Sequence, residues 1–260
     1  MIFQYGQKQL YYEIHGKGPV LVLLHGFLES STIWEAFIEP LSGNYTLLLI
    51  DFPGHGKSHP MAETQTMELM AEVVHELLDY LKYKEVILMG HSMGGYVALA
   101  FTEFFEDIVS KLILLNSTSV ADSLERKENR NRAIALLEKE KKAFLSMAIA
   151  ALFSEDSRAK FTKEIKILQQ EANGFPSEGI IALIKGMRDR EDRTPVLNSF
   201  PREKWILCGK KDPLILLSDS RSIAEQSGAT LEVLPGSHMG WLENRAEIVK
   251  ILLLIDKNCI

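Results

Sequence analysis

Two periodicities share this chain. Short apolar runs without polar alternation occupy residues 20–24, 45–50, 85–89 and 111–115, the pattern of strands buried on both faces. Between them lie helical segments. Residues 66–81 carry apolar side chains at 70, 73, 74, 77, 78 and 81, one face of a helix with Thr66 as its N-cap. Residues 31–41 and 93–105 also read as helices. Strands alternating with helices predict a parallel α/β sheet. Ahead of it, residues 2–5 and 9–14 alternate like a hairpin with Gly6 near the turn.

The alternation stops after Asn116. Residues 119–194 show helical periodicity and almost no strand signal. Within them, 124–142 is crowded with charge and reads as a solvated helix face, whereas 143–153 and 180–187 are apolar. The α/β pattern resumes at 204–208 and 230–234, and a helix over 246–255 closes it. A helical insertion of roughly 75 residues at a strand's C-terminal end is the place for a pocket roof. The chain therefore divides into a core, 1–117 and 196–260, and a lid, 118–195.

Composition narrows the partners. The 260 residues are 46% hydrophobic and 25% charged, with a net charge of -6. That balance gives no electrostatic reason to bind nucleic acid or an anionic membrane. No apolar stretch approaches the roughly 20 residues of a membrane span. The first residues lack the basic and apolar regions of a signal peptide. Cys208 and Cys259 form neither a metal spacing nor a disulfide framework and fit a reducing compartment. The expectation is a cytoplasmic protein acting on a small molecule.

The chemistry concentrates where residues 85–89 run into Gly90-His91-Ser92-Met93-Gly94 and then a helix. Strand, Gly-x-Ser-x-Gly and helix together make a nucleophile elbow, a sharp turn that lifts the serine hydroxyl above the sheet. Gly90 and Gly94 are small because strand and helix pass closely there. A serine hydroxyl needs a base, and the base needs an orienting acid. His91 adjoins Ser92, but adjacent side chains diverge. His75 lies mid-helix, and His15 and His59 sit in loops without a partner motif. His25 and His55 stand beside glycines at strand ends, where bonds that hold the loops are the simpler role. His238, in the loop after 230–234, is the candidate base. Asp212, just past 204–208 and stiffened by Pro213, is the candidate acid, with Glu243, Asp219 and more remotely Asp122 as alternatives. The order Ser92, Asp212, His238 is the one expected of this elbow. Oxyanion donors are the backbone N–H groups of Met93 and of Phe27, in the loop after 20–24.

These pieces resemble the α/β-hydrolase fold family. The resemblance runs through His25-Gly26, Asp51-Phe-Pro-Gly-His-Gly-Lys-Ser58, Gly-His-Ser-Met-Gly-Gly, Gly209-Lys-Lys-Asp212 and Ser237-His-Met. It implies an eight-stranded, mostly parallel sheet flanked by helices, an all-helical lid after the sixth strand, and no metal or organic cofactor. Residues 185–194 look like the lid of small bacterial esterase-like members. Ser237 stands where the family usually has Gly.

The resemblance implies a serine hydrolase of a small or medium, largely apolar carboxylic ester or thioester. Serine rather than Asp at the elbow argues against haloalkane dehalogenases and epoxide hydrolases. Carbon–carbon bond hydrolases often place Trp after the catalytic His, where this chain has Met239, with Trp241 two further on. Such a hydrolase, a menaquinone-pathway-type lyase and a cofactor-free perhydrolase are the alternative chemistries. A ligand receptor on the same fold is the non-enzymatic one. Phe144, Met147, Ile149, Leu152, Ile184 and Met187 are the expected lid lining.

Overall fold

The computed structural model describes residues 1–257; Cys259 lies outside the described residues. Eight strands form one sheet: β1 (Ile2–Tyr5), β2 (Lys8–Gly16), β3 (Val20–Leu24), β4 (Thr46–Ile50), β5 (Val86–His91), β6 (Val109–Leu115), β7 (Glu203–Gly209) and β8 (Thr230–Leu234). Their spatial order is β1-β2-β4-β3-β5-β6-β7-β8. β2 pairs antiparallel with both β1 and β4, and all the other neighbours pair parallel. Every residue of β5 is buried, which accounts for its unbroken apolar run.

Helices fill the crossovers. They are α1 (Glu35–Leu41), α2 (Met67–Tyr80) and α3 (Met93–Phe105), then α4 (Leu124–Lys139), α5 (Lys141–Ala150), α6 (Glu155–Lys160), α7 (Thr162–Gly174), α8 (Ser177–Asp189) and α9 (Thr194–Ser199), and finally α10 (Leu217–Ser227), α11 (Gly240–Glu243) and α12 (Arg245–Lys257). Thr66 caps α2 by accepting the Leu69 N–H, and Met70, Val73, Val74, Leu77 and Leu78 of its predicted face are buried. The helices α2 and α3 pack on each other, and α1 packs on α12. Trp34, Phe37 and Tyr45 are among the fully buried large side chains.

The segment between β6 and β7 is all-helical, as the sequence pattern predicts. There α4 packs on α5 and α8, and α5 on α7. Two local details differ from the sequence pattern. Residues 31–41 split into a 3₁₀ turn, Ser31–Trp34, followed by α1. The helix α10 leaves little trace in the sequence because Ser220, Ile223, Ala224 and Ser227 form its buried face, and two serines dilute the apolar period. Among the described residues, no helix is long and apolar enough to cross a membrane.

Candidate active site

The turn at Ser92 is set by steric limits on both sides. Its backbone lies at φ 50°, ψ -114°, a strained setting for a residue with a side chain. A Cβ on Gly90 would overlap the main chain of Gly94 and Gly95, and one on Gly94 would overlap the carbonyl groups of Leu24 and His25. The strand and the helix can meet at this separation only through glycine. Ser92 N–H donates to the Leu115 carbonyl (2.9 Å), which ties the elbow to β6. Met93 opens α3, so its amide is among those at a helix N-terminus that have no intrahelical acceptor.

The three candidate residues, 26 to 146 positions apart in the chain, meet above the sheet. Ser92 Oγ lies 2.9 Å from His238 Nε2. His238 Nδ1 lies 2.8 Å from Asp212 Oδ2. His238 and Asp212 are both buried. A carboxylate only accepts, so the proton of neutral His238 sits on Nδ1 and leaves Nε2 free to accept from the serine hydroxyl.

Asp212 is held from every side. Its Oδ1 accepts the N–H groups of Leu214 (2.8 Å) and Ile215 (3.0 Å), and its Oδ2 also accepts Asn116 Nδ2–H (2.9 Å). Burial alone would raise its pKa. The neighbouring His238, with the Ile215 and Asn116 bonds, outweighs burial and holds the carboxyl below its ordinary value. The alternative acids lie elsewhere. Glu243 bonds Ser237 and Ser157, Asp122 pairs with Arg130 and Arg190, and Asp219 is exposed.

His25 and His55 hold loops. His25 Nε2 accepts the Phe52 N–H (2.9 Å), and its Nδ1 donates to the Gly26 carbonyl (2.7 Å). His55 Nε2 accepts the Leu28 N–H (3.0 Å). Burial, followed by the charge of His25, pushes the His55 pKa well below its usual value. Together they tie the loop after β3, which carries Phe27, to the loop after β4.

Ser92 and His238 line a cavity of about 360 Å³. Its lid side includes Phe144, Ala148, Leu152, Ile184 and Met187, and its core side Phe27, Tyr96 and Ile215. The expected lining needs correction at two positions. Met147 is exposed, and Ile149 is buried away from the cavity wall, because successive turns of α5 present different faces. The wall is also not purely apolar. Arg126, Asn129 and Arg130 of α4 contribute to it, so part of the charge of 124–142 borders the cavity.

Three contributors were not legible in the sequence. Asn116 donates from Nδ2 to both Asp212 and the Ser237 carbonyl (3.0 Å). Its signal was a polar residue at the end of an apolar strand. Glu29 and His91 are buried, 2.9 Å apart, and His91 Nε2 lies 3.0 Å from the His238 carbonyl. His91 does point away from the hydroxyl, yet its ring reaches the loop that carries His238.

The comparisons with known proteins agree with this architecture. Residues 19–245 match the model of the alpha/beta hydrolase fold family. The chain belongs to that family. A thermophilic esterase from Thermogutta terrifontis superposes with a TM-score of 0.91 at 28% identity, covering 96% of this chain and 94% of that one. The pimeloyl-[acyl-carrier protein] methyl ester esterase of Vibrio vulnificus is 28% identical over 218 residues, 79% of this chain and 81% of its own length. A Mycobacterium tuberculosis relative is 33% identical over 109 residues, which are 42% of this chain but only 32% of the relative.

Proposed function

We propose that this α/β-hydrolase is a serine carboxylic-ester hydrolase with Ser92 as nucleophile, His238 as general base and Asp212 as orienting acid. The observation that carries the reading is the unbroken hydrogen-bonded line from Ser92 Oγ through His238 to Asp212, placed at a strained elbow inside a cavity. His238 Nε2 takes the serine proton as Oγ attacks the acyl carbon. Asp212 keeps the imidazole in the required tautomer and offsets its charge once protonated. The N–H groups of Phe27 and Met93 receive the developing oxyanion, each such donor contributing roughly 3 kcal/mol to the barrier. His238 returns its proton to the leaving alcohol, then activates water to release the acid.

The residues 118–195 act as a lid, closing an apolar acyl pocket with Phe144, Leu152, Ile184 and Met187. The substrate is a small or medium, largely apolar ester, handled in the cytoplasm. Hydrolysis of p-nitrophenyl esters from acetate to octanoate tests this directly. Wild type turns them over with a chain-length optimum that sizes the pocket, and Ser92→Ala loses the activity while remaining folded. A folded wild type that hydrolyses none of them, or a Ser92→Ala variant that retains the rate, overturns the reading.

A further inference from the structure

His91 stands immediately before the nucleophile and belongs to no step described above. Its ring is 1% exposed. Nδ1 faces Glu29 Oε2 at 2.9 Å, and Nε2 faces the His238 carbonyl oxygen at 3.0 Å. Both partners are acceptors. A neutral imidazole carries one N–H and satisfies only one of them; an imidazolium satisfies both. The loop histidines show the contrast. His25 has one donor and one acceptor partner, the pattern of a neutral ring.

Glu29 is built to stay ionised opposite it. Its Oε2 also accepts the Gly26 N–H (2.6 Å), and its Oε1 accepts Trp241 Nε1–H (3.0 Å). Three donors converge on one buried carboxylate, and they come from the oxyanion loop, the elbow and the segment after the base. The packing is closed as well. A Cβ on Gly26 would lie 2.6 Å from Glu29 Oε2 and 2.8 Å from His91 Nδ1.

We propose that His91 is a positioning residue that works as an imidazolium: paired with Glu29, it donates from both ring nitrogens and ties the main chain of His238 to the elbow that carries Ser92. This rests on the Ser92–His238–Asp212 reading for its functional consequence, and on the donor count alone for its charge. The charged groups around the ring favour it. Burial opposes the proton, but Glu29, the His238 carbonyl and the more distant Asp212 together hold the His91 pKa above its ordinary value, while neighbouring His25 has its own pKa lowered by burial. The ring centroids of His91 and His238 are 5.3 Å apart, so a shift of the clamp moves the base. A misplacement of about 1 Å at such a point costs on the order of a hundredfold in rate.

The test joins a spectrum to kinetics on the full chain. In protein labelled with ¹⁵N-histidine, both ring nitrogens of His91 are expected in the protonated position at neutral pH, where an ordinary imidazole has lost one proton. In Glu29→Gln, one of them is expected to lose its proton at the same neutral pH. A wild-type His91 with one unprotonated nitrogen at neutral pH overturns the proposal. His91→Phe should lower kcat roughly tenfold to a hundredfold with KM changed less than about twofold. Should that variant not fold, Glu29→Gln carries the kinetic arm, with the same split expected. A folded variant with wild-type kcat overturns the positioning role. Labelling of wild-type Ser92 by a fluorophosphonate separates the two levels. If it fails, the serine mechanism falls, while the spectrum still decides the state of His91.

Discussion

Replacing Asn116 by Asp keeps the side chain's shape and reverses its electrostatics. In the native protein Asn116 Nδ2 donates to Asp212 Oδ2 at 2.9 Å and to the Ser237 carbonyl at 3.0 Å. In Asn116→Asp an oxygen faces both acceptors. Two ionised carboxylates at 2.9 Å repel by roughly 6 kcal/mol at an effective dielectric of about 20. Taking up a proton instead costs about 1.4 kcal/mol per pH unit above the free-carboxyl pKa, or roughly 4 kcal/mol at neutral pH. The smaller cost wins, so the pair binds one proton. That proton satisfies one of the two acceptors, and the other loses its partner at a further cost of about 1–3 kcal/mol whatever the pH.

The folded variant thus holds a proton that the unfolded chain releases above about pH 5. A carboxyl with a raised folded pKa contributes stability below its unfolded pKa and loses it as pH rises. The deficit relative to wild type should therefore grow by about 1.4 kcal/mol for each unit between about pH 5 and neutrality. Urea unfolding of both proteins at half-unit steps measures it. A deficit that stays constant over this range refutes the reasoning, because it would mean that Asn116 supports the fold without facing an ionised Asp212.

Other perturbations address separate parts of the molecule. Asp212→Asn should leave the fold intact and lower kcat by roughly four orders of magnitude, since an amide in that place favours the wrong imidazole tautomer; steady-state ester hydrolysis reads it. Wild type should lose stability on acidification below about pH 6.5, because the unfolded chain takes up a proton that buried His55 refuses, a slope of up to about 1.4 kcal/mol per pH unit that His55→Gln should remove in urea titrations. Gly94→Ala forces a Cβ onto the Leu24 and His25 carbonyl groups and should cost about 1–3 kcal/mol or more in thermal unfolding, together with ester hydrolysis, because the strand–helix approach that presents Ser92 must open.

Most of the framework was legible because it is written in local patterns. β5 could be read because every residue of it is buried and its first four, Val86–Met89, are all apolar. The α2 face could be read because a helix between sheet and neighbour buries one side. The elbow could be read because its glycines answer a steric demand that no other residue meets. Ser92, Asp212 and His238 each lie just past a strand end, and the fold brings the three within hydrogen-bond distance. The helix α10 was not legible, because its buried face is half serine. The lining from α5 was legible in part. Periodicity finds a helix's apolar side but not its rotation against a neighbour, and so Met147 and Ile149 were assigned to a cavity wall they do not form.

The sequence by itself determined the strands, most of the core helices and the elbow, since these depend on neighbours three or four residues away and on the steric freedom of glycine. Only the tertiary structure decided who holds the chemistry in place. Asn116 meets Asp212 across 96 positions, and His91 meets Glu29 across 62 and His238 across 147. No local pattern encodes such pairs, because a buried polar group is satisfied by whatever the fold brings within about 3 Å. Arg126 and Arg130 of α4 follow the same rule. Their charge reads as a solvated face until packing turns part of that face toward the cavity.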